Sequence, residues 1–194
     1  MISIFMKRAK SIGLAKTIFL STNRLLLALR WYKNISIRRC LCCLKLTLFA
    51  QLGTTIEGVR CLRCGANKRY ELLAQALMLE PKLKISKCFV VEMDPNSPLS
   101  QFLESTGCCY LKTFYSDSEV KGKMVDGAQM EDICSMTLSD ATVDVLISSD
   151  VLEHVPDLHG AIKETNRVLK LGGKHFFTVP LSELMAPRAI LTNG

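Results

Sequence analysis

The first 56 of the 194 residues contain no Asp or Glu, although they hold ten Lys or Arg. Residues 81–194 hold eleven basic and fifteen acidic side chains, so the net charge of +7 hides a chain of two materials. Long apolar runs are also missing. Residues 12–29 come nearest, but Lys16 and Arg24 interrupt them, and no eighteen-residue apolar stretch exists, so no spanning helix is expected. An acid-free, basic and apolar segment instead suits an amphipathic surface helix, an organelle transit peptide, a basic arm for an anionic membrane or nucleic acid, or a helix that packs on the body with its charges in solvent. A secretory cleavage site is lacking too, and the nine cysteines are an odd number, which argues against a disulfide framework and for a cytoplasmic setting.

What is present is clearest between Val143 and Pro180. Val143, Val145, Leu146 and Ile147 form a short apolar run broken only by Asp144 and closed by Ser148, Ser149 and Asp150, the pattern of a strand buried on both faces of a parallel sheet. From Asp157 onward Leu158, Ala161, Ile162, Val168 and Leu169 recur at helical spacing, Gly172 and Gly173 mark a helix stop, and Lys174 to Pro180 returns as a strand. This βαβ unit places Ser149, Asp150, Glu153 and His154 at the carboxyl end of its first strand, where open α/β sheets bind ligands.

The segments DVLISSDVLEHVPD and ETNRVLKLGGKHFFTVP resemble the fourth and fifth strands of class I, type 11 S-adenosylmethionine-dependent methyltransferases. The resemblance implies an α/β, Rossmann-like parallel sheet with helices on both faces, with strands one to five over residues 81–194. Strand one is expected over Lys84 to Met93, a helix over Pro98 to Ser105, strand two over Cys108 to Tyr115 and strand three over Met130 to Ile133. The glycine loop of the family falls on Glu92, Met93, Asp94, Pro95, Asn96 and Ser97, where Asp94 and Asn96 stand at the glycine positions. Both tolerate a left-handed backbone, so the turn can survive, and Asp94 adds a carboxylate that can meet the ligand's amino group or sulfonium. The resemblance implies that S-adenosyl-L-methionine is held by Glu92, Asp94, Asn96, Glu119, Asp132, Ile133 and Ser149. Glu119 is the first choice for the ribose hydroxyls, with Asp117 second, and Asp132 and Ile133 serve the adenine.

Asp150, Glu153 and His154 are expected on the acceptor side, with His154 the general base for an acceptor that must lose a proton. Their spacing also suits a divalent-metal half-site, but pocket shaping is the preferred reading. The activated methyl donor needs little beyond proximity and orientation.

Cys40 and Cys43 form a C-x2-C pair, and Cys61 and Cys64 form a second one followed by Gly65. The spacing matches a structural zinc site of four thiolates. The second knuckle, CLRCGANKRYELLAQAL, is similar to the CPxCG element ahead of the catalytic domain in some bacterial type 11 methyltransferases. Cys88, Cys108, Cys109 and Cys134 are expected in or beside strands, as core.

The expected organisation is thus a basic, helical, Cys-containing amino-terminal part, comprising an amphipathic segment (1–39) and a Cys-rich knuckle with its helix (40–80), followed by a methyltransferase-like domain (81–194). That domain is expected to stop after strand five: either the chain is a fragment or a natural truncation, with an uncovered edge that calls for a partner or lowers solubility, or LSELMAPRAILTNG covers the edge. The function expected is methyl transfer to an acceptor of unknown identity, expected to be a small molecule. The alternative is a non-catalytic relative that binds a partner, nucleic acid or membrane through its basic segment.

Overall fold

The computed structural model describes residues 35–52, 58–80 and 84–180. The expectations for the segment at 12–29 and for the edge cover at 181–194 lie outside the described residues. Within them no helix is long and apolar enough to cross a membrane.

The described residues open with a three-stranded antiparallel sheet of β1 (Ser36–Arg39), β2 (Leu46–Gln51) and β3 (Val59–Cys61), in that order. The described start of the expected helical segment is therefore β structure. Its apolar residues alternate with polar ones, as in Leu46, Thr47, Leu48, and a period of two cannot form a helical stripe. Helix α1 (Lys68–Leu79) follows at once, capped by the Asn67 side chain, which accepts from Tyr70 N at 3.2 Å.

A six-stranded mixed sheet forms the body. Its strands are β4 (Phe89–Glu92), β5 (Cys109–Phe114), β6 (Met124–Val125), β7 (Ala128–Met130), β8 (Val143–Ser149) and β9 (Leu169–Thr178), in the order β6-β7-β5-β4-β8-β9. All neighbours are parallel except β6, which folds back on β7 as a hairpin. Helices α2 (Ser100–Thr106) and α3 (Leu158–Val168) complete the body. Strand alternation sends Val90, Val145 and Ile147 toward α1 and α2, where Leu73, Leu77, Leu99 and Leu103 are buried. Val91 and Leu146 point to the opposite face, toward Val168 of α3. The thiols at 40, 42, 43 and 61 join the first of these cores, so the cysteine sheet and the body share one hydrophobic interior through α1.

Several boundaries differ from the sequence reading for local reasons. Strand one is only Phe89–Glu92, because Ile85–Lys87 winds into a 3-10 turn that delivers Cys88 N to Ile85 O. Helix α2 begins and ends slightly later than expected and closes on Gly107, whose φ of 73° is the left-handed cap. Strand three is Ala128–Met130 and stops before Asp132. Asp132 Oδ1 accepts from Cys134 N at 2.9 Å, an Asx turn that replaces the ladder. The glycine pair after α3 does not end the helix. Leu169 is already strand, paired with Val143, and the next pairing is Val145 with Lys174, so Gly172 and Gly173 shape a bulge. Gly172 has φ of 81°, and a Cβ on Gly173 would lie 2.9 Å from Lys170 O. Asp144, the polar break in the apolar run, accepts from Phe89 N and Lys170 Nζ, each at 2.8 Å.

Candidate functional site

The thiol cluster is built by two turns with one hydrogen-bond plan. Leu44 N donates to Cys40 O at 2.9 Å, as Gly65 N does to Cys61 O. Cys40 N donates to Lys45 O at 3.0 Å, as Cys61 N does to Ala66 O at 2.8 Å. Both turns need a left-handed residue after the second cysteine: Gly65 supplies it at φ 82°, and Leu44 adopts it at φ 58° despite its side chain. The missing glycine of the first knuckle therefore does not prevent the turn.

The Sγ atoms of Cys40, Cys43, Cys61 and Cys64 lie within 4.8 Å of one another, with Cys40 to Cys64 at 3.6 Å and Cys43 to Cys61 at 4.0 Å. Four thiolates about 2.3 Å from a tetrahedral zinc would stand about 3.8 Å apart, so the ring has the size and donor chemistry for that ion. Among the described residues it is the one group of ligand atoms close enough to share a metal. The Cys40 thiol is pulled far down by hydrogen bonds from Cys42, Cys61 and Cys64, while the Cys64 thiol is pushed up by its bonds to Cys40 and Cys61. Burial pushes the Cys43 thiol up to about 11.

The second site lies at the carboxyl ends of the body's strands. A cavity of about 390 Å³ opens there, inside the range of small-molecule sites. Apolar side chains dominate its wall, among them Met93, Phe114, Tyr115, Ile133 and Val155, and Glu131, Asp132, Asp150, His154 and Asp157 supply the carboxylates and imidazole. Of the expected cofactor residues, Asp132 and Ile133 line it. Asp132 Oδ2 also meets Lys121 Nζ at 3.3 Å.

Glu92, Asp94, Asn96, Glu119 and Ser149 do not line this cavity. Glu92 is 2% exposed and accepts from the Tyr110 phenol; burial pushes its carboxyl up to about 7. Asp94 organises the loop that lacks glycine: its Oδ1 accepts from Asn96 N at 2.9 Å and its backbone oxygen from Ser97 N at 3.4 Å. An Asx turn thus replaces the expected left-handed backbone, and positive φ occurs at neither Asp94 nor Asn96. Ser149 Oγ meets Thr178 Oγ1 at 2.9 Å. Glu119 pairs with Lys123 at 2.6 Å, whereas Asp117 accepts from Tyr115, which lines the cavity, also at 2.6 Å.

The acceptor-side trio does not converge as a metal site. Asp150 pairs with Arg69, and His154 Nε2 stands 4.0 Å from Glu153 Oε1 with its ring 78% exposed. Asp150 adopts φ of 56°, the strained turn that takes the chain out of β8, and its nitrogen donates to Thr178 O at 3.1 Å. Beneath the site His175 Nε2 meets Ser148 Oγ at 2.8 Å, and burial lowers its imidazole to about 4.

The sequence reading missed the first turn of α1. Arg69 reaches Asp150, and the Tyr70 phenol donates to Asp94 Oδ2 at 2.7 Å. Burial, then the charge of Asp94, pushes that phenol above its usual range. Glu71 on the same turn takes both guanidinium nitrogens of Arg38, at 2.7 Å and 2.5 Å. The signal available in sequence was Asn67, a helix cap three residues after Cys64, which fixes where the next three side chains emerge. Glu131 was also missed. It is 1% exposed, accepts from Thr137 N at 2.8 Å and from Gln129 Nε2 at 2.6 Å, and so holds the wall that carries Asp132.

Residues 90–177 match the family described as a methyltransferase domain. Solved structures to which the chain is similar include a protein described as an S-adenosyl-L-methionine-dependent methyltransferase from Methanococcus maripaludis, at 18% identity over 56% of this chain and 54% of that one, with a TM-score of 0.43. An S-adenosylmethionine-dependent methyltransferase from Mesorhizobium loti is 19% identical over 57% and 52% of the two chains, with a TM-score of 0.41. A Haloferax volcanii complex of a methyltransferase with its activator is 17% identical over 57% and 56%, with a TM-score of 0.36. The chain spans about half the length of these structures. No curated protein matches it with significance.

Proposed function

We propose, from the premise that residues 90–177 are a methyltransferase domain, that the chain binds S-adenosyl-L-methionine at the carboxyl ends of β4, β5, β7 and β8 and transfers its methyl group to a small-molecule acceptor. The observation that carries this reading is the cavity at those strand ends, lined by Asp132 and Ile133 and walled by apolar side chains. The residues present fit the cofactor: Ile133 offers an apolar contact for adenine and Asp132 an acceptor for its amino group, and Asp117, bonded to the cavity-lining Tyr115, is the proposed carboxylate for the ribose. When bound, the cofactor supplies an activated methyl group, and the remaining work is alignment and proton removal.

Exposed His154 on the cavity rim is the base for an acceptor that loses a proton, with Glu153 beside it. Glu92 and the loop from Asp94 to Ser97, which do not line the cavity, are proposed to support it from the carboxyl end of β4. The Asx turn at Asp94 gives this loop a fixed shape without glycine, which weakens the case for a non-catalytic relative. The four-cysteine ring is proposed to hold one structural zinc, which would tie β1, β3 and α1 together. Nine thiols with this arrangement suit a reducing, cytoplasmic setting. The basic segment ahead of β1 is the proposed contact with an anionic surface.

Calorimetric titration with S-adenosyl-L-methionine tests the reading. The wild-type chain is expected to bind it saturably and Asp132→Ala about tenfold or more weakly. A folded chain with no detectable binding would overturn it.

A further inference from the structure

The outward face of the small sheet carries aliphatic side chains that the core leaves in solvent. The inward face is fully used: Arg38 stands 3.4 Å over the Phe49 ring and pairs with Glu71, and Cys61 joins the thiol ring. Register and alternation put Ile37, Arg39, Leu46 and Leu48 on the other face, with Ile37 opposite Leu48 and Arg39 opposite Leu46. Ile37 is 69% exposed, Leu46 75% and Leu48 42%. Single exposed aliphatics are ordinary, but three in adjoining register positions form a patch. Its surroundings carry one sign of charge. Arg39 is exposed within the patch, and Lys45 and Arg63 are exposed on the two knuckle turns at its end. The first 56 residues hold no Asp or Glu, while residues 81–194 hold fifteen.

We propose that this face is a docking surface for an anionic lipid bilayer. Ile37, Leu46 and Leu48 enter the boundary between headgroups and acyl chains, and Arg39, Lys45 and Arg63 meet the lipid phosphates. The proposal rests on the reading of the basic segment as a contact with an anionic surface; it names that surface and adds a folded face to the contact. Lipid engages both halves of the patch. Nucleic acid engages the charges alone, because unpaired bases stack on aromatic rings and these strand positions hold none. The segment ahead of β1 is itself basic, so as a cover it would add to the charge around Arg39 and Lys45 rather than neutralise it. Residues 81–194, with eleven basic against fifteen acidic side chains, are repelled by the same lipids, which turns the small sheet toward them.

The test is flotation of the full chain with vesicles of phosphatidylcholine, alone or mixed with phosphatidylserine. The wild type is expected to float with the mixed vesicles and not with the neutral ones. Ile37→Ser with Leu46→Ser weakens that binding about tenfold or more, and Leu48→Ser alone gives a smaller loss in the same direction. Arg39→Gln with Lys45→Gln also weakens it and lowers its salt dependence. Leu171→Ser, at an exposed position of β9 in the body, leaves it unchanged. Circular dichroism and the thermal midpoint report that each variant is folded. Binding that survives the loss of Ile37, Leu46 and Leu48, or that falls equally in Leu171→Ser, overturns the proposal and leaves the basic segment as the contact. A wild type that ignores the mixed vesicles but retains single-stranded RNA overturns the lipid assignment alone. Binding to neither overturns the anionic-surface reading as well.

Discussion

The two sheets use the same residue types in opposite ways. In β8 the side chains of Val143, Val145, Leu146 and Ile147 are at most 1% exposed, whereas in β1 and β2 Ile37 is 69% and Leu46 75% exposed. Burial at about 2 kcal/mol per aliphatic side chain holds the body together; it contributes far less to the small sheet. The Arg38–Glu71 pair joins its β1 to α1, and a zinc bound in the thiol ring, as proposed, would cross-link its two turns. Small sheets need such staples because they cannot enclose a core of their own.

The most severe way to break this contrast is to remove a thiol. Cys61→Ser is expected to abolish stoichiometric zinc, measured by atomic spectroscopy, and to unfold the small sheet at a cost of several kcal/mol. Retention of one zinc per chain by this variant would contradict the cross-link account.

A second test concerns the body, where two buried groups have opposite pH dependence. Glu92 is raised by burial to about 7, so its contribution to stability is complete below its ordinary value and is lost as pH rises through about 7. His175 is lowered by burial to about 4, so its contribution is present above its ordinary value and is lost as pH falls toward 4. The two slopes oppose each other between about pH 4.5 and 6.5. Glu92→Gln therefore leaves the His175 slope alone and makes stability rise with pH in that window by up to a few kcal/mol, read from denaturant midpoints at pH 4.5, 5.5 and 6.5. Unchanged pH dependence in this variant would show that Glu92 does not titrate there.

Arg38→Ala sharpens the contrast at the joint between the sheets. It strands Glu71, which is 4% exposed, and is expected to cost about 2 kcal/mol, less than a fully buried pair because Arg38 itself is 41% exposed. Adding Glu71→Gln should recover most of the loss in a double-mutant cycle. The smallest effect belongs to Gly65→Ala. Nothing stands within 4 Å of the added Cβ, so the cost is conformational alone, about 1 kcal/mol, and thermal unfolding should report it.

The parts legible in sequence were those governed by short-range pattern. The β8–α3–β9 unit, the pairing of the two C-x2-C knuckles and the nearness of Asp132 and Ile133 to the strand-end cavity followed from periodicity, spacing and family resemblance. The errors arose where side chains redirect the backbone. Asp132 ends strand three early by binding Cys134 N, and Asp94 shapes its loop by binding Asn96 N. Neither competition is visible from residue type alone. Arg69 and Tyr70 were hidden for a different reason: Arg69 lies 81 residues before Asp150 in the chain, and only the packing of α1 on the sheet brings the two together. Glu119, favoured by its place after strand two, instead pairs with nearby Lys123.

The two regions meet at the first turn of α1, which Glu71 ties to Arg38 of β1 and which carries Arg69 to Asp150 and Tyr70 to Asp94. The direct measurement is the affinity for S-adenosylhomocysteine before and after metal chelation and again after zinc is restored, with circular dichroism to follow the body. A loss of about tenfold or more is expected on chelation, with the body's spectrum retained and the affinity recovered with zinc. An affinity that does not change when the metal is removed would contradict it.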